Sequence, residues 1–315
     1  MILITTGDPS GIGPEVIVKA LRILSNYPIT IVGSIEALKR ACYSCGINMS
    51  FTPVDEPTQI RGSVPVIDLG DVEVPGAGPT PEGGLHSYLS IRKACEFILR
   101  GRAEALVTGP VSKEAVNMAG IPFRGHTELL AELSGARKTK MLLYLDELKV
   151  AHVTTHVPLR EVPRILTEEE IISTAELTSD FLKKIGSGNR IGIASLNPHA
   201  GEGGLMGDEE ILVIKPAVEK LREKGYDVQG PIPADTAFLR ALKGEFDAIV
   251  AMYHDQGHIP IKLLGFNRAV NVTLGLPFVR TSVDHGTAYD IAGKCIADEG
   301  SMVNAIKLAA RLIGY

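Results

Sequence analysis

Short apolar runs rich in β-branched residues alternate along this chain with amphipathic runs, and no other sequence feature restricts the fold as much. The apolar runs cover residues 2–6, 29–32, 64–69, 105–108, 141–145, 149–153, 191–196, 248–252 and 269–273. Their length and continuous apolar character predict strands that are buried on both faces. Helical periodicity separates them over residues 14–24, 85–99, 208–224 and 301–313, and a capping box at residues 167–170 begins another helix that ends near Lys184. We therefore predict an α/β protein with largely parallel sheets.

Composition argues against several functional classes. The 315 residues are 45% hydrophobic, which is enough for a sizeable core, and the net charge is only -5. No run of Lys or Arg could follow a phosphate backbone, so nucleic acid is not an expected partner. The apolar N-terminus lacks the basic flank of a signal peptide, and no apolar run approaches the roughly 20 residues that span a bilayer. We expect a cytoplasmic protein without a membrane partner.

The four cysteines do not form a recognisable metal motif. Cys42 and Cys45 are a Cys-x-x-Cys pair, but no second pair completes a zinc ribbon, and Cys95 and Cys295 lie far away in the sequence. We expect buried or partly buried thiols. The Pro/Gly-rich residues 74–81 are expected to form a loop.

Three histidines occupy equivalent places, each shortly after a predicted strand. His156 follows residues 149–153, His199 follows 191–196 and His254 follows 248–252. The carboxyl ends of strands are where open α/β sheets place their sites. Imidazole nitrogens bind Zn²⁺, Co²⁺ and similar ions, so the three side chains could share one metal. The alternative is that each is an ordinary surface or hydrogen-bonded histidine.

A second group of polar residues could bind an anion. His126 and Thr127 stand where a helix is predicted to begin, and backbone N–H groups at such a position hold anions. Lys262, Asn271 and Arg280 each interrupt an apolar run, which indicates either a polar site or a side chain that reaches solvent. An ordinary capping turn would explain His126 and Thr127 equally well.

The sequence also contains a candidate cofactor loop. Residues 284–293, Asp-His-Gly-Thr-Ala-Tyr-Asp-Ile-Ala-Gly, resemble the loop that holds the adenosine part of NAD(P) in isocitrate and isopropylmalate dehydrogenases. The resemblance implies roles for Asp284, His285, Gly286 and Asp290. It also explains why the glycines of residues 7–15 do not form the Gly-x-Gly-x-x-Gly fingerprint or a P-loop. On its residues alone, that segment is expected to be a plain strand-to-helix turn.

Taken together, these motifs resemble the 4-hydroxythreonine-4-phosphate dehydrogenase family, which includes 4-phospho-D-threonate and 4-phospho-D-erythronate dehydrogenases. The matching stretches are residues 6–15, 108–113, 125–128, 155–160, 196–204, 233–236, 252–257 and 270–288. The resemblance implies a fold like that of isocitrate and isopropylmalate dehydrogenases, with two α/β/α domains and a cleft between them. We expect residues 1–125 and 265–315 to form the domain with the cofactor loop, and residues 126–264 to form the domain with the metal-ligand loops and dimer contacts.

The resemblance also implies roles for the candidate residues. His156, His199 and His254 match divalent-metal ligands drawn from both subunits of a homodimer, with Zn, Mg or Co as the ion. The substrate-binding positions match five residues: His126, Thr127, Lys262, Asn271 and Arg280. We further hypothesise that His254 comes from a different subunit than His156 and His199.

The implied reaction is the NAD-dependent oxidation, with decarboxylation, of 4-phosphooxy-L-threonine to 3-amino-2-oxopropyl phosphate in pyridoxal phosphate biosynthesis. Asp235, Asp255 and Lys262 are the candidates for the general base. Three kinds of alternative stay open. The first is a dehydrogenase of 4-phospho-D-threonate or 4-phospho-D-erythronate, and the second is a dehydrogenase of a cis-dihydrodiol carboxylate. The third, from a different class, is a non-catalytic protein that binds a metal or a small ligand.

Overall fold

A computed structural model describes residues 1–73 and 76–315 of the chain. These residues form two compact units, Met1–Arg137 with Leu276–Tyr315, and Lys138–Gly275. Both boundaries lie further along the chain than the expected ones at 125/126 and 264/265. Val74 and Pro75, where the predicted Pro/Gly-rich loop begins, lie outside the described residues. Among the described helices, none combines the length and the apolar character that crossing a bilayer requires.

The first unit contains a parallel sheet. Its strands are β1 (Ile2–Thr5), β2 (Ile29–Gly33), β3 (Phe51–Pro53), β4 (Val64–Asp68), β5 (Ala105–Thr108) and β12 (Val279–Val283). They lie in the order β3-β4-β2-β1-β5-β12, and every neighbouring pair is parallel. The helices are α1 (Gly13–Ile23), α2 (Ile35–Cys45), α3 (Pro81–Leu99), α4 (Lys113–Met118), α5 (His126–Ser134) and α11 (Gly300–Leu312). The core of this unit includes Leu3, Leu106 and Leu130, all fully buried.

The second unit contains a mixed sheet. Its strands are β6 (Lys140–Tyr144), β7 (Lys149–His152), β8 (Ile191–Ala194), β9 (Val228–Ile232), β10 (Ala248–Ala251) and β11 (Val270–Leu274). They lie in the order β11-β6-β7-β10-β8-β9; β6 is antiparallel to both of its neighbours, and the other pairs are parallel. The helices are α6 (Val162–Ile165), α7 (Glu168–Lys184), α8 (Lys215–Glu223), α9 (Ala234–Leu242) and α10 (His254–Gly265).

The apolar runs of the sequence correspond to strands, within a residue or two at each end. Three strands were not predicted, and each breaks the apolar pattern for its own reason. β3 and β9 stand last in their sheets, where half-exposed polar residues, glycine and proline are tolerated. β12 is buried but contains Arg280, Thr281 and Ser282, so its polar sequence gave no sign of a buried strand.

The helix start predicted at residues 167–170 is confirmed, with Thr167 as the N-cap; the Glu170 carboxylate pairs with Lys140. The Thr167 hydroxyl accepts the N–H of Glu170 at 3.2 Å, and the helix runs from Glu168 to Lys184. Three glutamates occupy its first turn and two lysines its last turn, which complements the helix dipole at both ends.

The cysteine expectation is correct for two residues and wrong for two. Cys42 and Cys95 are buried thiols. Cys45, the last residue of α2, forms a disulfide with Cys295, and their Cα atoms are 5.1 Å apart. The partners are separated by 250 residues in the sequence, so only the fold of the first unit reveals the pair.

We predict that this disulfide stabilises the first unit. Closing a long loop restricts the unfolded chain and contributes about 2–4 kcal/mol, so a dithiol reductant should lower the melting temperature by several degrees. Thermal unfolding with and without dithiothreitol tests this. The Cys45→Ser/Cys295→Ser variant is the control, because its melting temperature should not respond to the reductant. Four reactive thiols per chain in non-reducing denaturant, instead of two, would contradict the assignment.

Candidate functional site

Three loops of the second unit lie along one edge of its sheet. β7, β10 and β8 are consecutive in the sheet and mutually parallel, so their carboxyl ends point the same way. His156, His254 and His199 follow these strands, which confirms the predicted position of each histidine after a strand. Such an edge is where α/β sheets bind ligands.

His156 and His254 face a common cleft. Their ring centroids are 5.5 Å apart, and both line a cavity of about 300 Å³ that Thr155, Tyr253 and Asp255 also border. The Nδ1 of His254 lies 2.6 Å from a carboxylate oxygen of Asp255. A carboxylate that accepts the Nδ1 proton leaves Nε2 as the coordinating nitrogen, which is how metal-binding histidines are commonly held.

His199 stands on a loop with unusual backbone geometry. Residues 199–203 all have positive φ, and three of them, His199, Ala200 and Glu202, are not glycine. The left-handed region costs a non-glycine residue roughly 1–2 kcal/mol, so the loop needs an anchor. Glu210 provides it, because this buried carboxylate accepts the backbone N–H groups of Leu196 and Asn197 at 2.8 and 2.7 Å.

Sequence reasoning missed Glu210. It lies within the predicted helix over residues 208–224, and nothing in that pattern singles it out. The structure instead has a π-helical segment, Glu210–Ile214, before α8. That segment turns the carboxylate inward, beneath the His199 loop.

The chemistry of the three histidines suits a metal ion. Within one chain, however, their side chains do not all lie close enough to bind the same ion. Three imidazole nitrogens suit Zn²⁺ or Co²⁺. Across the described residues, the one group of three ligand side chains within 4.8 Å of one another is Glu15 with the disulfide-bonded Cys45 and Cys295. The His199 side chain is 70% exposed and lies 3.7 Å from Glu202. One chain thus offers two histidines to a cleft and a third on an exposed loop.

The first unit contains a buried cationic cluster. Arg280 on β12 is 3% exposed and donates from Nη2 to Oγ1 of Thr108 at 2.7 Å. His126 begins α5, and its pKa is held well below the usual value by burial and by the Arg280 and Lys113 cations. Burial lowers the pKa of Arg280 to about 10, so the guanidinium stays charged at neutral pH. A buried cation beside a helix N-terminus is suited to an anion.

The other predicted substrate and base residues are placed as follows. Thr127 is the second residue of α5, next to His126 in the first unit. Asn271 is on β11, and Lys262 is on α10 with its ammonium 5.3 Å from the centre of the Phe266 ring. Asp235 is in the first turn of α9.

The candidate cofactor loop packs directly on the glycine-rich turn of residues 7–15. The N–H of Ile12 donates to the Thr287 carbonyl at 2.9 Å, and the Tyr289 hydroxyl donates to the Asp8 carboxylate at 2.7 Å. A Cβ on Gly11 would lie 2.7 Å from that same carbonyl oxygen, so this close approach requires glycine. The turn therefore supports the cofactor loop, a role that its sequence did not indicate.

Burial changes the acid–base behaviour of this contact. Desolvation raises the pKa of Asp8 above its usual value and raises the pKa of Tyr289 as well. Glu15, also buried, accepts the backbone N–H groups of Gly293 and Cys295. A cavity of about 260 Å³ lies between the turn, α2 and Gly293.

These features define a fold class before any particular family. The fold is that of the β-decarboxylating dehydrogenases: a member from Thermococcus kodakarensis superposes with a TM-score of 0.55 over 99% of this chain and 83% of its own, at 15% identity. So low an identity shows the fold alone. It confirms the predicted isocitrate/isopropylmalate dehydrogenase-like class.

The chain belongs to the family described as pyridoxal phosphate biosynthetic protein PdxA, whose model matches residues 25–309. It is 46% identical to D-threonate 4-phosphate dehydrogenase of Salmonella typhimurium, over 99% of this chain and 98% of the relative. It is 45% identical to 4-hydroxythreonine-4-phosphate dehydrogenase of Sulfurihydrogenibium sp., with 99% and 98% covered.

A solved structure is also similar over its whole length. The 4-hydroxythreonine-4-phosphate dehydrogenase from Klebsiella pneumoniae superposes with a TM-score of 0.89 at 42% identity, over 99% of each chain. The family resemblance read from the motifs is thus confirmed, and so is the prediction of an oxidoreductase.

We predict that acid destabilises the protein through its buried histidines. Burial lowers the pKa of His152 to about 3 and also lowers the pKa of His86, from a usual value of 6.5. Each takes up a proton on unfolding, so the stability that the neutral ring contributes is complete above pH 6.5. This stabilisation is lost as the pH falls toward the folded-state pKa. For a histidine as buried as His152, the loss is up to about 1.4 kcal/mol per pH unit.

Urea unfolding at pH 7 and pH 5 tests whether acid lowers the stability. The free energy of unfolding should be lower at pH 5. The His86→Leu variant should show a shallower pH dependence, because it has one less ring to protonate. Equal stability of the parent protein at both pH values would refute the argument.

Proposed function

We propose that this protein is an NAD-dependent, metal-dependent dehydrogenase that oxidises and decarboxylates a four-carbon 3-hydroxy acid phosphorylated at C4. The observation that carries the proposal is the set of three histidine loops at the carboxyl ends of three adjacent parallel strands. The names of the relatives add the substrate class.

The metal would be held by His156, His199 and His254. When bound, a divalent ion such as Zn²⁺, Co²⁺ or Mg²⁺ supplies a Lewis acid for the substrate hydroxyl and carboxylate. Asp255 holds the His254 ring through Nδ1, and Glu210 holds the backbone before His199. Asp255 thereby orients the His254 ring, and Glu210 fixes the start of the loop that carries His199.

The phosphate would be bound by Arg280, His126 and Thr127 of the first unit, and Lys262 and Asn271 stay predicted substrate-binding residues. Arg280 supplies a positive charge. Because the side chain is buried, water does not screen that charge. His126 stays neutral at pH 7, so one ring nitrogen donates and the other accepts. Binding energy at the phosphate, remote from the reacting carbon, can be used to orient that carbon.

The reaction then proceeds in two balanced steps. A base removes the C3 hydroxyl proton while the C3 hydride passes to NAD⁺, which leaves a ketone β to the carboxylate. The bond between C2 and the carboxylate carbon breaks, CO₂ leaves, and the electron pair forms an enolate that is protonated at C2 to give the ketone. Asp255 is engaged with His254, and Asp235 and Lys262 are the other two candidates for the base.

Two substrates fit this chemistry and differ in the group on C2. D-threonate 4-phosphate has a hydroxyl there, and 4-phosphooxy-L-threonine has an ammonium. We place D-threonate 4-phosphate first, because the relative with 46% identity bears that name. The aminated substrate expected from the motifs is second, supported by the relative with 45% identity.

The cofactor is NAD, with its adenosine held by Asp284, His285, Gly286 and Asp290. An acidic residue near the ribose favours a free 2′-hydroxyl over a 2′-phosphate. The contacts of the loop with the turn before α1 fix its backbone before cofactor binds.

The active unit would be a homodimer formed through α10. Ile259, Leu263 and Phe266 follow helical spacing along one side of this helix and are 57%, 82% and 62% exposed. Such an apolar stripe is typical of an interface. His254 is the first residue of α10, which supports the hypothesis that it completes a site formed by His156 and His199 of the other subunit.

We predict NADH formation when the protein, a divalent metal and NAD⁺ meet D-threonate 4-phosphate. The rate should exceed those with 4-phosphooxy-L-threonine and with NADP⁺. Arg280→Met should lower kcat/KM by about 100-fold, because it removes a charged hydrogen bond from a buried site. Arg102→Met, which disrupts an exposed ion pair with Glu56, is the matched control and should keep parental activity.

Other outcomes would change the proposal. Faster turnover of an unphosphorylated cis-dihydrodiol carboxylate would move the protein to that alternative. Ligand or metal binding with no NADH formed from any of these acids would indicate a non-catalytic binding protein.

A second prediction concerns the metal ligands. Alanine in place of His156, His199 or His254 should abolish turnover while thermal unfolding stays cooperative. If His254 comes from the other subunit, mixing inactive His156→Ala and His254→Ala chains should restore one intact site per heterodimer. Recovery from mixed His156→Ala and His199→Ala chains instead would place His156 and His254 in the same subunit. Full activity of the parent after exhaustive chelation would disprove the metal requirement.

A further inference from the structure

Two buried histidines lie behind His254, and neither has a role in the reaction described above. His152 is the last residue of β7 and is completely buried, and His258 on α10 is 7% exposed. The Nδ1 of His258 lies 3.1 Å from Nε2 of His152 and 3.0 Å from the His254 carbonyl oxygen. This contact joins β7 to α10, and the two histidines are 106 positions apart in the sequence.

The contacts determine where the protons are. A carbonyl oxygen can only accept, so Nδ1 of His258 must carry a hydrogen and donate it. The same N–H faces His152, whose Nε2 must therefore be the acceptor. His152 then carries its proton on Nδ1. Each ring is fixed by the other.

His258 also contacts His254 directly. Their rings are stacked, with centroids 3.6 Å apart and planes inclined by only 12°. The two residues are four apart on α10, which places them one above the other on the same side of the helix. His254 is therefore held on one face by His258 and at its edge by Asp255.

Gly257 provides the space for this arrangement. A Cβ on Gly257 would lie 2.3 Å from Nε2 of His152, closer than any real contact permits. Helix α10 can approach β7 this closely only with a glycine at that position. Gly257, His152 and His258 thus pack directly against one another.

We propose that His258, locked by His152, is a positioning residue that fixes the ring plane of His254 for metal binding. The inference rests on the proposed function, in which His254 is a metal ligand. Stacking and the Asp255 hydrogen bond together restrict both side-chain torsions of His254, so Nε2 is aimed before the metal arrives. The loss of such a supporting contact weakens metal binding by about 10- to 100-fold.

The experiment measures metal binding without turnover. Zn²⁺ affinity is obtained by competition with a chromophoric chelator, and the ligand field is read from the absorption bands of the Co²⁺-loaded protein. His258→Leu should weaken Zn²⁺ binding by about 10- to 100-fold and change the Co²⁺ bands. His86→Leu, which removes a buried histidine from the first unit, is the matched control and should leave both unchanged.

A rescue separates positioning from simple packing. The His152→Leu/His258→Phe variant keeps a flat ring beside His254 and leaves no nitrogen of the pair without a partner. It should bind Zn²⁺ within about threefold of the parent, the range expected when the stacking that orients a ligand is retained. The His152→Leu/His258→Leu variant has the same apolar interior without the ring and should stay weak.

The outcomes are distinguishable. Parental affinity and parental Co²⁺ bands in His258→Leu would overturn the inference. Equal weakness of the Leu/Phe and Leu/Leu double variants, with cooperative unfolding in both, would overturn the role of stacking. If His254→Ala binds Zn²⁺ as tightly as the parent, the assignment of His254 as a ligand fails, and the proposed function fails with it.

Discussion

The parallel pairing of β7, β10 and β8 is the constraint on which the candidate site depends. Main-chain hydrogen bonds between these strands bring residues 152, 194 and 251 to one edge of the sheet. The loops that follow hold His156, His199 and His254 with no direct contact among all three. Because the strands are buried on both faces, their register cannot slip without exposing the core, and the edge is thereby fixed. The candidate metal site thus depends on three strands that supply none of its ligands.

Sequence patterns revealed this edge for a simple physical reason. Strands that are buried on both faces appear in the sequence as apolar runs. A histidine just beyond such a run is easy to recognise. The same reasoning located the Glu168–Lys184 helix through its cap at Thr167. It failed for β12, where Arg280 and two hydroxyl residues are buried in a strand, because a polar sequence gives no sign of burial.

The features that the sequence did not predict are contacts between distant residues. Glu210 reads as a surface glutamate, yet it holds the loop before His199. Cys45 has its partner at Cys295, and Asp8 has its partner at Tyr289. Each pairing depends on how elements pack after they form, and no local periodicity encodes that. The residue types were visible from the start, and their partners emerged only from the fold.

The space opened by Gly257 has a consequence for how this chain can change by mutation. An apolar residue at position 258 alone would leave Nε2 of the buried His152 without its donor. An apolar residue at position 152 alone would leave the Nδ1 proton of His258 with the His254 carbonyl as its acceptor. A side chain at 257 would collide with His152. The order of change therefore matters: an exchange of the histidine pair for apolar residues avoids an unpaired buried nitrogen only if position 152 changes first.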